Sequence, residues 1–192
     1  MLTETPFYFV RHGETDWNRI NRIQGHIDIP LSDVGRDQAR IASAAFAGAA
    51  ITAIYSSPLA RALQTAEFFQ SVLGCPLHRN NDLMEVNLGA RQGTSMGPWY
   101  GDWKAGKELP DGAESYRGFI GRALRGINQA LGHPGPVLIV AHGVVYRAIK
   151  QYAGLDPKFS LPNCVVVRHD PPDAFNSDWR MVLDCLAPQT QI

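Results

Sequence analysis

Two kinds of hydrophobic pattern alternate along the chain. Short unbroken apolar runs at Phe7–Val10, Ile51–Tyr55 and Val137–Ala141 predict strands covered on both faces. Between them, apolar residues recur every three or four positions, the period of a helix with one buried side. From Gly35 to Ala47 these are Ala39, Ala42 and Phe46, with Ile41 and Ala45 between them and Ser32 as a good N-cap. After Tyr55, Ser57 reads as a cap and Pro58 as the first helical residue, ahead of Ala62, Thr65, Ala66, Phe69 and Val72. The longest helical pattern runs from Glu114 to Leu131, where Gly118, Gly121 and Gly126 suit close packing at the expense of helix propensity. Val144 to Tyr152 is a further helix. Leu77–Arg79 is a weak strand, and Cys164–Arg168 and Arg180–Cys185 are strands joined by the polar 171–178 connection. Asp82 to Gly89 reads as loop. Arg91 to Gly112, rich in Gly, Pro and Trp, reads as a substrate-covering loop region with one short helix near 99–105. The tail 189–192 is expected to be loose. This alternation predicts an α/β fold, a three-layer α/β/α sandwich with a mostly parallel central sheet, in one domain spanning 1–192.

Composition narrows the function more than the fold. The 192 residues are 45% hydrophobic and 19% charged, with a formal net charge of zero. Such a chain has no global field to attract nucleic acid or an anionic membrane. No apolar run approaches membrane-spanning length, and the first six residues lack the pattern of a signal peptide. Cys75, Cys164 and Cys185 show no CxxC spacing, so reduced, mostly buried thiols in a cytoplasmic protein are expected. Fourteen of the eighteen Lys and Arg residues are arginine.

Chemistry concentrates where two of the apolar runs end. The first runs into Arg11-His12-Gly13, and the third into Ala141-His142-Gly143. If these strands are parallel neighbours, both histidines reach one sheet edge, where open α/β sheets hold their ligands. Arg61 falls in the first helical turn after another strand and reaches the same edge. Two His and two Arg with few carboxylates to offset them are costly together unless they serve an anion.

The same residues carry a resemblance. Arg11-His12-Gly13-Glu14-Thr15, followed by Trp17-Asn18, resembles the signature of the histidine phosphatase superfamily in its phosphoglycerate mutase-like branch. The likeness continues in order through Gln24-Gly25, Asp28, Pro30-Leu31, Gly35, Gln38-Ala39 and the 56–66 segment around Arg61. It then reaches Glu85, Gly89, Gly93 and Ala141-His142-Gly143. It covers most of the chain from about Val10 to Arg147.

The resemblance implies roles. His12 is the nucleophile that becomes phosphohistidine. Arg11, Arg61 and His142 hold the phosphoryl oxygens, with Asn18, Gln24, Gly25 and Gly143 also around the phosphate. Glu85 protonates the leaving alkoxide and then takes a proton from water. No metal and no cofactor are implied. The expected partner is a small phosphate ester, with no nucleic acid or membrane; the oligomeric state stays open, a homodimer among the options. Arg11 and Arg61 should lower the pKa of His12, which helps, and that of Glu85, which does not.

Other residues carry two readings each. Glu14 orients an Arg or His, or supports the loop. His26 contacts substrate, or is a solvated loop residue. His78, His133 and His169 have no partner pattern. A metal held by His12, His26 and His142 lacks ligand spacing. Trp99, Tyr100 and Trp103 wall the substrate, or cover the core. Arg91, Lys104 and Lys107 read a second charged group, or are ordinary exposed cations.

Against the family pattern, Gly143 is followed by Val144 where a second Gly is common, and Arg91-Gln92-Gly93 replaces Trp-Glu-Gly. The chain is shorter than typical cofactor-dependent mutases, and Val86-Asn87-Leu88 lacks their Arg-His-Tyr after the acid. The expectation is therefore a metal-independent phosphomonoesterase. A phosphoglycerate-type mutase and a non-catalytic binder of phosphorylated ligands are the alternatives. Sugar phosphates, phosphoglycolate-like acids, nucleoside phosphates and α-ribazole phosphate all stay open as substrates.

Overall fold

The computed structural model describes residues 1–183. The end of the last expected strand, Cys185 and the 189–192 tail lie outside the described residues. Six strands form one sheet: β1 (Phe7–Arg11), β2 (Ala53–Ser56), β3 (Leu77–Arg79), β4 (Val137–Ala141), β5 (Val166–Asp170) and β6 (Arg180–Leu183). Their order is β3-β2-β4-β1-β5-β6, parallel from β3 to β1 and antiparallel at β5 and β6. Helices α1 (Asp16–Arg19), α2 (Asp33–Ala44), α3 (Ala60–Leu73), α4 (Trp99–Lys104), α5 (Tyr116–Leu131) and α6 (Gly143–Tyr152) fill the connections.

The period of two along each strand splits the core into two layers. Phe7 and Phe9 of β1, with Val137, Ile139 and Ala141 of β4, pack against the buried faces of α5 and α6. Val10, Leu138 and Val140 point the other way, onto Ala39, Ala42, Ala62, Ala66 and Phe69 of α2 and α3. All five residues of β4 are buried. Each large aliphatic or aromatic side chain so covered contributes roughly 1.5–3 kcal/mol, which makes β1 and β4 a rigid floor for whatever follows them. Their register pairs Arg11 with Ala141, and β2 pairs Ser56 with Val140. Three chain segments therefore leave the sheet side by side at its C-terminal edge: His12, Ser57 and His142.

Several local expectations change. Helix α3 begins at Ala60, past Pro58, and Ser57 does not cap it. The Asp28 carboxylate, distant in sequence, accepts from the Ala60 N–H at 2.7 Å. Trp103 and Tyr100 belong to the core: Trp103 is 1% exposed and its indole N–H donates to the Glu114 carbonyl at 2.9 Å. Of the α5 glycines, Gly126 is wedged against the 81–83 turn, where an added Cβ would lie 2.9 Å from Asp82 Cβ. Gly121 faces open space, so packing does not account for it.

This contrast is directly measurable. Gly121→Ala should stabilise the protein to urea by roughly 0.5–1 kcal/mol through helix propensity. Gly126→Ala gains the same propensity yet should lose about 1–3 kcal/mol net to overpacking.

Candidate active site

Every polar atom of His12 but one is held in place. Its N–H donates to the Ala141 carbonyl at 3.0 Å, and its carbonyl accepts from Asn163 Nδ2 at 2.7 Å. The ring Nδ1–H donates to the Gly13 carbonyl at 2.7 Å, which leaves Nε2 with its lone pair free. The residue is 3% exposed. Burial first, then the Arg61 and Arg11 cations, hold the imidazole well below its usual pKa, so it is neutral at neutral pH.

The two arginines are gripped by carbonyls instead of carboxylates. Arg61, entirely buried, donates from Nη1 to Ile27 O at 3.1 Å and from Nη2 to Gly25 O at 2.8 Å. Arg11 donates from Nη1 to Leu161 O at 3.2 Å. In both, Nε is buried without a partner among the described residues. Burial lowers the Arg61 pKa to about 10, so it keeps its charge at neutral pH.

His142 stands beside His12, with ring centroids 5.2 Å apart. Its Nε2 meets Ser57 Oγ at 2.8 Å, and its buried Nδ1 has no partner. If the Ser57 hydroxyl donates to Nε2, Nδ1 carries the proton and becomes a neutral donor. Burial, Arg61 and nearby imidazoles keep this ring's pKa well below normal too. Arg11 Nε and Arg61 Nε are buried donors without partners among the described residues, and His142 Nδ1 joins them in that tautomer; buried donors in a folded protein call for an acceptor.

Glu85 lines a cleft with Arg11 and Gly143, its Oε1 accepting from the Val86 N–H at 3.0 Å and its Oε2 from the Val144 N–H at 3.2 Å. Burial raises its pKa; both N–H bonds and both arginines pull it down without reversing the direction. The expectation that the arginines would depress it is therefore outweighed by desolvation.

The remaining predicted residues fall at different distances from this centre. Gly143 presses on Arg11, an added Cβ lying 3.6 Å from its Nε. Gly25 enters through its carbonyl on Arg61. Gln24, 8% exposed, has a buried Oε1 without a partner; a half-turn of the amide would present its NH2 there instead. Asn18 closes a capping box at the start of α1, its Oδ1 accepting from the Thr15 N–H at 3.0 Å. That bond leaves the amide NH2 to donate elsewhere.

Among the described residues the Glu14 carboxylate bonds neither Arg nor His; it accepts from the Ser32 hydroxyl. His26 donates from Nε2 to the Glu85 carbonyl at 2.8 Å. Among the described residues no three His, Cys, Asp or Glu side chains form a metal-holding group, so His26 does not complete one with His12 and His142. Arg91 is paired with Glu108 at 2.9 Å and covers Trp99. His169 is buried among Phe7 and Tyr146, its pKa lowered to about 4.

Four supporting residues escaped the sequence reading. Ser57 has the motif position of a helix cap but serves His142. Asn163 carries no signal at all. Val144, noted only as a departure, gives its backbone N–H to Glu85. Arg122, one arginine among several on α5, ties down the Glu85 loop. It donates to the carbonyls of Asp82, Met84 and Glu85 at 3.0, 3.0 and 3.2 Å while paired with Glu114 at 2.6 Å.

Known proteins share this frame. Residues 7–171 match the family model of the histidine phosphatase superfamily (branch 1). The chain is 36% identical over 166 residues to the metal-independent phosphoserine phosphatase of Arabidopsis thaliana, covering 76% of this chain and 67% of that one. It is 32% identical over 181 residues to the probable phosphoglycerate mutase GpmB of Serratia proteamaculans, covering 85% and 83%. Among solved structures, mycobacterial hydrolase 1 superposes with a TM-score of 0.79 at 25% identity, covering 93% of this chain and 97% of that one. The six-stranded α/β architecture is thus that of phosphoglycerate mutase-like proteins.

The buried imidazoles make stability depend on pH in a definite direction. His12, His142 and His169 bind protons less readily folded than unfolded, so each contribution is present above the unfolded pKa near 6.5 and is lost as pH falls below it. Glu85, raised on folding, acts oppositely but is one group against three. Urea midpoints should therefore fall from pH 7 to pH 5. His12→Asn should flatten that dependence by up to about 1.4 kcal/mol per pH unit. An unchanged slope in the variant would mean that the ring is not held neutral by the fold.

Proposed function

The chain belongs to the histidine phosphatase superfamily, and on that premise we propose that it hydrolyses small phosphate monoesters through a phosphohistidine on His12, with no metal. The observation that carries this reading is the freed His12 Nε2, with the His142 ring beside it and Arg11 Nε, Arg61 Nε and His142 Nδ1 buried without partners among the described residues. In the proposed first step the Nε2 lone pair attacks phosphorus in line, forming the P–N bond as the P–O bond to the alcohol breaks. The departing oxygen takes the proton of Glu85. Arg11 Nε, Arg61 Nε and His142 Nδ1 donate to the phosphoryl oxygens and hold them in line, while the charge that develops on the leaving oxygen is met by the Glu85 proton. Water then gives a proton to the Glu85 carboxylate and attacks phosphorus. Inorganic phosphate leaves and the imidazole is restored.

The raised Glu85 pKa and lowered His12 pKa support these assignments, because the first step needs an acid that is protonated beside a base that is not. The mutase reading draws on the name of the Serratia relative. Against it stands the 86–88 segment, where the motif that follows the acid in the cofactor-dependent mutases is missing. A pure binding protein would need neither a free Nε2 nor a protonatable carboxyl in this position.

His12→Ala should abolish turnover of 4-nitrophenyl phosphate, and wild-type enzyme quenched during turnover should carry acid-labile phosphate that the variant lacks. Residual activity near wild type would remove His12 from the chemistry. Glu85→Gln should slow alkyl esters by about 10²–10⁴-fold and 4-nitrophenyl phosphate far less, since a good leaving group needs little protonation. Alkyl-ester rates should fall as pH drops through the lowered His12 pKa and again as it rises through that of Glu85. The alkaline limb should shrink with the nitrophenyl ester. Equal leaving-group dependence in wild type and Glu85→Gln would remove the acid role.

A further inference from the structure

Three of the chain's four lysines gather in one place, next to the catalytic cleft. The cleft, about 240 Å³, runs from Arg11 and Glu85 past Val144 to Arg147, Lys150 and Lys158. A second hollow of about 230 Å³ adjoins it and shares Arg147, Lys150 and Pro157; Lys104, Tyr116 and Gln151 complete its polar lining. The first hollow holds a single carboxyl, that of Glu85, and the second holds none.

These cations are not equivalent. Lys150 is 6% exposed and donates to the Pro157 and Phe159 carbonyls, so its charge is spent on holding the cleft wall. Arg147 is different. Its guanidinium is partly buried, lines both hollows, and rests over the Tyr100 ring with Cζ 5.5 Å from the centroid. Among the described residues it has no hydrogen-bonded or ion-paired partner, and neither do the side chains of Lys104 and Lys158. The nearby Asp156 carboxylate accepts from the Lys158 backbone N–H. An ordinary solvated cation samples many rotamers. Arg147 is already ordered by stacking, so it loses little on gripping a carboxylate or a phosphate.

We propose that the physiological phosphate ester carries a second anionic group, a carboxylate or another phosphate, and that Arg147 binds it, with Lys104 and Lys158 flanking. This rests on the phosphatase reading for the placement of the reacting phosphoryl group beside Arg11 and Glu85. Of the three cations in the sequence-level suggestion of a second-anion reader, only Lys104 lies here. Arg91 is neutralised by Glu108, and Lys107 lines neither hollow.

The test uses non-hydrolysable phosphonates and calorimetry on the full chain. Propylphosphonate probes the phosphoryl site alone, while 3-phosphonopropionate and propane-1,3-diphosphonate add a carboxylate or a second phosphonate. At least one doubly anionic ligand should bind about tenfold or more tightly than propylphosphonate, as expected for a charged hydrogen-bonded pair. The larger gain identifies the second group. Arg147→Met should erase that gain and leave propylphosphonate binding unchanged, while Arg147→Lys retains part of it. Should Arg147→Met fail to fold, the exposed pair Lys104→Met and Lys158→Met reports instead, cutting the gain by about threefold or more. Equal binding of all three ligands, or a gain untouched by these variants, overturns the proposal. Turnover of 4-nitrophenyl phosphate reads the phosphatase function separately, since that ester has no second anion.

Discussion

A guanidinium buried without a carboxylate governs this molecule. Removing a charge from water costs several kcal/mol, and an ion pair is the usual remedy. At Arg61 the remedy is two carbonyl oxygens, of Gly25 and Ile27, from a loop that must bend to supply them. Carbonyl dipoles soften the desolvation cost without cancelling the charge. Arg61 stays cationic, and its field reaches His12, His142 and Glu85. A carboxylate in the same place would have neutralised that charge, with nothing left over to attract an anion. The loop itself is fastened from elsewhere: Asp28 caps α3, and Gln92 accepts from the His26 N–H.

The sheet turns this local arrangement into a site. Parallel β1 and β4 fix His12 and His142 by register, and the N-terminus of α2 seals the loop after β1. Gly13 and Gly35 meet there so closely that a Cβ on either would strike the other's segment, at 2.4 Å from the Gly35 oxygen or 2.0 Å from the Glu14 oxygen. Glu85 arrives on a turn with no strand beneath it, and Arg122 stands in for that missing floor. One side chain on the longest helix binds three carbonyls of the turn, of Asp82, Met84 and Glu85, and is itself fixed by Glu114. The rigid elements thus hold the imidazoles, and a polar clamp holds the carboxyl.

What could be read in the sequence follows from the range of the forces involved. Strands such as Val137–Ala141 and caps such as Ser32 are set by neighbours within a few residues, so both appear where periodicity puts them. Convergence of Arg11, His12, Arg61 and His142 at one edge followed from strand direction and needed no coordinates. Contacts between distant segments left no such trace. Ser57 has the residue type and position of a cap, yet the hydroxyl is used by a histidine 85 residues away, and Asp28 takes over the helix. Asn163, Arg122 and the Val144 N–H act through backbone groups, which any residue type presents. The α5 glycines look alike in sequence and differ only in what faces them.

The electrostatics of Glu85 and His12 resolve a conflict that charge counting alone leaves standing. Both groups feel the same two arginines, which favour a deprotonated form in each case. For His12 burial acts in the same direction, because its charged form is the protonated one. For Glu85 burial acts in the opposite direction, because its charged form is the deprotonated one, and there burial is the larger effect. A single dry, positive environment therefore drives the two pKa values apart. A phosphate dianion entering that environment raises both. The imidazole starts well below its usual value, so the rise begins from a neutral ring, whereas the carboxyl starts above its usual value and is moved further toward its acid form. In the proposed reaction, substrate binding would then complete the protonation pattern that the first step requires.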